Sequence, residues 1–209
     1  MYGVRDKTGK HMFPEMTIES VDVFKVLDLC AKERYGQLTE YLEQAVSRLA
    51  ACGADFAALA ANTPHIVFDR LQECSPIPLV SIVEATADEA KRRDMTRLGL
   101  LGTMFTMNGE FYRTPFTEKG VTLVTPHDIE KNYIAEKIAN ELELGIVKDE
   151  TRAGFVKIMQ RLREEDSVQA VILGCTELPL LFIDADPPME ILDSMKIHTD
   201  TLVNMIISE

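Results

Sequence analysis

Gln169-Ala-Val-Ile-Leu-Gly-Cys175-Thr-Glu-Leu-Pro179 is the stretch on which the fold turns. Residues 170–173 are a short apolar run rich in β-branched side chains, the composition of a buried strand. Gly174 lets the backbone turn tightly. Thr176-Glu177-Leu178-Pro179 can then open a helix, because Pro suits a first turn. Cys175 falls between strand and helix. Open α/β sheets bind ligands at such a strand end. The free N–H groups and positive partial charge of a helix start favour a thiolate and a substrate carboxylate alike. Taken alone, the residue reads equally well as a core cysteine behind a core strand, since free Cys is among the most buried residue types.

A second stretch has the same form. Asp55-Phe-Ala-Ala-Leu-Ala-Ala61-Asn-Thr-Pro-His65 runs from an apolar strand through small residues and a polar pair to Pro and a helix. Each stretch is followed by a Pro-bearing loop and a short apolar segment, Ile77-Pro-Leu-Val80 and Pro188-Met-Glu-Ile-Leu192, and then by a helix. In this alignment Ala61 matches Cys175, Asn62 matches Thr176 and Thr63 matches Glu177. The chain therefore reads as two related α/β halves, each offering a strand end to a shared cleft.

The remaining elements extend the pattern. Helices are expected over 37–51, 64–73, 84–93, from 106 onward, 128–144, 151–164 and 198–207. The first has Leu38, Tyr41, Leu42, Ala45, Val46 and Leu49 at helical spacing. Gly53 and Gly145 end helices, and Asp128 is a fitting N-cap. Strands are expected over 16–23, 55–60, 78–82, 97–101, 121–124 and 169–173. Residues 1–14 read as a short or frayed helix, and 24–30 as a loop or a short helix. Alternating strand and helix with short links implies parallel sheets. The expected fold class is α/β, with two pseudo-symmetric lobes, each a mainly parallel sheet flanked by helices. The first lobe is discontinuous, 1–94 plus 193–209, and the second covers 95–192.

Bulk properties narrow the functional classes. The 209 residues carry a net charge of −12, with 46% hydrophobic and 27% charged residues. Such a balance fits a globular domain with a substantial core and argues against a nucleic-acid partner, which wants a basic stripe. No apolar run approaches the roughly 20 residues of a membrane span, and the N-terminus has no signal-peptide core. The four cysteines, Cys30, Cys52, Cys74 and Cys175, lack C-x-x-C spacing, so zinc is not expected. Free thiols suit a reducing cytoplasm. Cys30, Cys52 and Cys74 read as packing residues.

Ala61-Asn-Thr-Pro-His65 together with Gly174-Cys-Thr-Glu-Leu-Pro179 resembles the aspartate/glutamate racemase family, as do Ser20-Val-Asp22, Leu101-Gly-Thr-Met104, Glu141-Leu-Glu-Leu-Gly145 and Ile197-His198. The resemblance covers essentially the whole chain. It implies a cofactor-independent amino-acid racemase of the aspartate/glutamate type, with an amino acid as its small-molecule substrate, and a homodimer. It also implies that a thiol removes the α-proton on one face while a second group returns one on the other. Cys175 is the implied acid/base. Asn62, Thr63, Thr103, Thr176, Glu177 and His198 are the implied substrate-binding residues. Asn62 and Thr63 can equally cap the following helix, and Glu177 can be a plain first-turn acid. His198 reads as a site residue or a structural one. For His65 a surface or capped histidine is the better reading, and ordinary surface charge for Lys148 and Arg152.

Two departures from the family pattern shape the expectation. The family carries Cys or Thr at the position of Ala61, where this chain has a methyl group that moves no proton. The family also opens with a strand and a Gly-rich turn, whereas Met1-Tyr-Gly-Val-Arg-Asp-Lys-Thr-Gly-Lys10 resembles the tail of the helix that follows them. The first sheet is therefore expected to be incomplete, or patched by a partner chain. A single-thiol decarboxylase of the same superfamily needs no acid opposite the cysteine and suits Ala61. A non-catalytic, degenerate member is the third reading.

Overall fold

The computed structural model describes residue 9 and residues 14–208, so the expectation for 1–14 lies mostly outside the described residues. The chain divides into two compact units. One takes in residues up to Ala60, then Pro64–Ser81 and the chain from His198 on. The other consists of Ala61–Thr63 and Ile82–Ile197.

The second unit holds a four-stranded sheet of β3 (Arg97–Gly102), β4 (Thr122–Val124), β5 (Ala170–Gly174) and β6 (Glu190–Asp193), in the order β4-β3-β5-β6. All three pairings are parallel. Every residue of β5 is buried. The pleat sends alternate side chains to opposite faces. Val171 and Leu173 join Ile134 and Ile138 of α7 (Asp128–Asn140) and Phe155, Met159 and Leu162 of α8 (Asp149–Glu165). Ala170 and Ile172 join Ile82, Val83 and Ala87 of α4 (Ile82–Arg92) and Tyr112 and Phe116 of α6 (Glu110–Glu118). Burying both faces explains the unbroken apolar run, and each large aliphatic side chain contributes roughly 1.5–3 kcal/mol. A short helix, α5 (Met104–Asn108), follows β3.

The first unit contains α1 (Val23–Ala31), α2 (Tyr35–Ala51) and α3 (Phe68–Cys74), with α1 packed on α2 and α2 on α3. Its sheet, among the described residues, is one parallel pair, β1 (Ala57–Ala58) with β2 (Leu79–Val80). The last helix, α9, spans Ser194–Ile207 and so begins four residues before the expected start.

Several expectations are corrected. Residues 16–23 do not form a strand: Met16 and Ile18 are 72% and 81% exposed, so their alternation buries no face. Asp22 instead caps α1, its side chain accepting from the N–H groups of Phe24 and Lys25, and Val26, Leu29 and Cys30 bury a helical stripe. That also resolves residues 24–30 as helix. The strands over 55–60 and 78–82 shrink to two residues each. The helix over 64–73 is a 3-10 turn, Thr63–Val67, followed by α3. His127, not Asp128, precedes α7, and its N–H donates to Oε2 of Glu130 at 2.9 Å. The helix over 128–144 ends at Asn140, and a 3-10 turn, Leu142–Leu144, leads to Gly145 at φ +72°. Of the cysteines read as packing residues, Cys30 is buried but Cys52 and Cys74 are exposed.

Candidate active site

Three adjacent strands of the second unit end together. Gly102 of β3 is the register partner of Gly174 of β5, and Leu173 of β5 is the partner of Asp193 of β6. The next residue after each strand is therefore Thr103, Cys175 and Ser194, side by side along the carboxyl edge of the sheet. Thr103 caps α5, its Oγ1 accepting from the Thr106 N–H at 3.3 Å.

The Ala61–Thr63 turn is fastened to this edge at two points. Oγ1 of Thr63 and Oγ1 of Thr103 lie 3.2 Å apart. Nδ2 of Asn62 donates to Oγ of Ser194 at 3.3 Å, and that hydroxyl donates to the Leu173 carbonyl at 2.8 Å. These bonds differ from helix caps, and α3 has no side-chain cap at its start. Because Ser194 spends its proton on Leu173, it can only accept from Asn62, which fixes which way the carboxamide faces. Oδ1 of Asn62 is then left buried with no hydrogen-bond partner among the described residues, on a side chain only 4% exposed. A buried acceptor without a partner is costly, and an N–H donor from a bound molecule would relieve it. Ala61 is exposed.

Cys175 is buried, and its Sγ donates to Oε2 of Glu177 at 2.9 Å. The other carboxylate oxygen of Glu177 accepts from the Thr176 hydroxyl at 2.6 Å. Burial, then the hydrogen bond to Glu177 and its charge, push the thiol far above the usual range, and the charge of Glu143 adds to the effect. The Glu177 backbone N–H pulls the other way and is outweighed. A strand end under a helix start led to the expectation of a favoured thiolate. The thiol's pKa is pushed up instead, because the sulfur is buried and a carboxylate faces it, while the following helix is only a single 3-10 turn, Leu178–Phe182. Burial, together with Glu177, also raises the Glu143 carboxyl.

The other candidates have structural partners. His65 is buried and stacks on Phe68 with ring centroids 5.0 Å apart, so it is not a surface residue. His198 is buried within the first unit, where its Nε2 lies 3.0 Å from the Val80 carbonyl. Burial lowers its pKa, so the ring is neutral near pH 7. Lys148 pairs with Glu141 at 3.0 Å, and Arg152 donates to the Leu181 carbonyl and to Asp149. Ser194 and Glu143 escaped the sequence reading. Ser194 stands two residues beyond the apolar segment 188–192, as Cys175 stands two residues beyond the run 170–173, and that parallel was a usable signal. Among the described residues, no group of three or more His, Cys, Asp or Glu is arranged to hold a metal ion, and no helix is long and apolar enough to cross a membrane.

The chain as a whole is similar to known proteins. The family model described as Asp/Glu/hydantoin racemase matches residues 2–202. A crystal structure from Yersinia pestis, provisionally assigned as an Asp/Glu racemase, is 31% identical with a TM-score of 0.89, covering 99% of this chain and 90% of that one. An aspartate racemase homologue from Pyrococcus horikoshii OT3 is 36% identical with a TM-score of 0.85, covering 98% and 88%. A broad-specificity amino-acid racemase of Bacillus subtilis is 27% identical over 149 residues, 70% of this chain and 63% of the relative's own length.

Proposed function

Because this chain belongs to the Asp/Glu/hydantoin racemase family, we propose that it moves a proton at the α-carbon of an amino acid of the aspartate/glutamate type, without a cofactor. The observation that carries the proposal is the 2.9 Å hydrogen bond from the Cys175 thiol to Glu177. A thiol already bonded to a carboxylate has a destination for its proton. As a base, Cys175 passes its proton to Glu177 and takes the α-proton of the substrate. As an acid, it gives its proton to a planar α-carbanion. The barrier to either step falls when the developing charge meets fixed donors. The hydroxyls of Thr63, Thr103 and Thr176 serve as those donors by turning from their partners Thr103, Thr106 and Glu177 toward the substrate carboxylate, and Oδ1 of Asn62 accepts from its ammonium group. His198 enters as a neutral hydrogen-bonding group, consistent with its burial.

Ala61 occupies the position of the second acid/base in the proposed site. The Asn62 and Thr63 bonds to Ser194 and Thr103 support this, because they carry the Ala61 turn to the strand edge that Cys175 follows. A homodimer and a cytoplasmic setting complete the reading, the latter consistent with four free cysteines. The single-thiol decarboxylase is the second reading. It is favoured by a thiol held protonated, since that reaction asks the cysteine only to donate a proton to one face of a carbanion.

Incubation in D₂O with each enantiomer of aspartate and glutamate tests the proposal. The expected result is α-deuterium incorporation into one enantiomer with retention, and loss of exchange in Cys175→Ala. Exchange that survives Cys175→Ala would move the chemistry to other residues. Turnover of an α-aryl or α-alkyl malonate with release of CO₂, and no exchange on amino acids, would favour the decarboxylase.

A further inference from the structure

Ser194 opens α9 one position beyond β6 and is fully buried. Its hydroxyl makes two hydrogen bonds. It donates to the Leu173 carbonyl at 2.8 Å and accepts from Nδ2 of Asn62 at 3.3 Å. A hydroxyl carries one proton, and a carbonyl can only accept. The Leu173 bond therefore claims the proton, and Asn62 meets the lone pairs of the serine oxygen. With the carboxamide turned over, Oδ1 would face those lone pairs, acceptor against acceptor. The serine thus selects one of the two orientations that the carboxamide can take.

The consequence falls on the other branch of the carboxamide. Oδ1 of Asn62 is buried with no hydrogen-bond partner among the described residues. Fixing an orphaned acceptor in place retains a cost that a bound donor removes. The next residue supplies the opposite chemistry. Oγ1 of Thr63 lies 3.2 Å from Oγ1 of Thr103, on the strand edge that Ser194 also borders. An acceptor beside hydroxyl donors complements an α-amino acid, whose ammonium donates and whose carboxylate accepts. We propose that Ser194 is a positioning residue that sets the specificity of the site. By accepting from Nδ2 it holds Oδ1 of Asn62 as a free acceptor, and so selects an α-amino acid over the same diacid without its ammonium. The proposal rests on the role given above to Asn62. Specificity of this kind comes from the group left unpaired when the wrong ligand binds.

Ser194→Ala in the full-length protein tests this. Dissociation constants are read by calorimetry for two matched sets, L- and D-aspartate against succinate and L- and D-glutamate against glutarate. Within a set the carboxylates are shared and the ammonium differs. Exchange of the Asn62 side-chain amide protons with solvent is read by NMR in the ligand-free protein, the signal being assigned by its loss in Asn62→Ala. The expected result in Ser194→Ala is amino-acid affinity weaker by about threefold to tenfold, unchanged affinity for the matched diacid, and severalfold faster exchange at Asn62. Adding Ser194→Ala to Asn62→Ala should cost no further amino-acid affinity, because no carboxamide is left to orient. If Ser194→Ala does not fold, Ser194→Cys keeps a side chain of similar shape with a weakly hydrogen-bonding sulfur and is read by the same criteria. Equal weakening of amino acid and diacid, the mark of a purely structural serine, overturns the proposal, and so does unchanged exchange at Asn62. Where a diacid does not bind at all, the exchange rate and the Asn62→Ala comparison decide. If the wild type binds none of the four amino acids, the proposed function fails, while the exchange rate still decides whether Ser194 fixes Asn62.

Discussion

A Cβ on Gly102 would lie 2.9 Å from the carbonyl oxygen of its register partner Gly174, and a Cβ on Gly174 would lie 2.9 Å from Cγ2 of Thr106. The two glycines let β3 and β5 end together under α5, which is what aligns Thr103 with Cys175. Gly102→Ala meets backbone that cannot yield, and Gly174→Ala meets a buried β-branched side chain. Each should lower stability by about 1–3 kcal/mol, read as an earlier midpoint in urea unfolding, with Gly102→Ala the more damaging.

Reactivity of the thiols should follow their surroundings, because alkylation needs the thiolate. Cys52 and Cys74 are exposed, whereas Cys175 is buried and pushed up by Glu177. Iodoacetamide at pH 8 should label Cys52 and Cys74 first and Cys175 last, as peptide mass mapping would show. Glu177→Gln removes a charge that opposes ionisation and should speed labelling of Cys175 severalfold without changing Cys52. Equal rates in the two proteins would mean that burial alone controls the sulfur.

Acid stability should depend on Glu141. Its carboxylate accepts from Thr151 and pairs with Lys137 at 2.9 Å and Lys148 at 3.0 Å. Led by the Thr151 bond and then by Lys137, these partners lower its pKa from 4.5 to about 2. A carboxyl whose folded pKa is depressed contributes stability above its unfolded value, and that contribution is lost as pH falls through the folded one. The wild type should therefore lose thermal midpoint between about pH 4.5 and pH 2, and Glu141→Gln should lose less over that interval while starting lower at pH 7. Parallel curves for the two proteins would exclude Glu141 as a source of the acid dependence.

How far these features were legible depended on range. β5 could be read because five consecutive positions are buried on both faces, a pattern that needs no partner to recognise. Residues 16–23 misled because alternation of Met16 and Ile18 with polar neighbours says nothing about what lies opposite, and nothing buries them. Asp22, two residues before Phe24, was the better local signal, a cap where a strand end was expected. Cys175 and Glu177 were visible as a pair, but the direction of the thiol shift depends on which way the carboxylate turns, and spacing does not encode that. The bonds from Asn62 to Ser194 and from Thr63 to Thr103 join residues 132 and 40 positions apart. Only the repeated strand-end motif hinted that such distant residues share an edge.

The Ala61 position gives the sharpest test of the proposed chemistry. In the proposed reaction Cys175 would act on one face of the α-carbon, and the methyl group assigned there to the opposite face would neither give nor take a proton. Wild-type racemisation of aspartate and glutamate should therefore be slow compared with one-sided exchange. Ala61→Cys and Ala61→Thr each restore a group able to carry a proton. A positioned acid or base is worth roughly 100-fold to 10,000-fold, so Ala61→Cys should raise net racemisation by about 100-fold, followed by circular dichroism of either enantiomer. Ala61→Val adds bulk without a proton and should not. Ala61→Cys combined with Cys175→Ala should lose the gain, because inversion needs a group on each face. A gain that persists in that double variant would mean that the introduced thiol works without Cys175. The pairing of positions 61 and 175 across the substrate would then have to be abandoned.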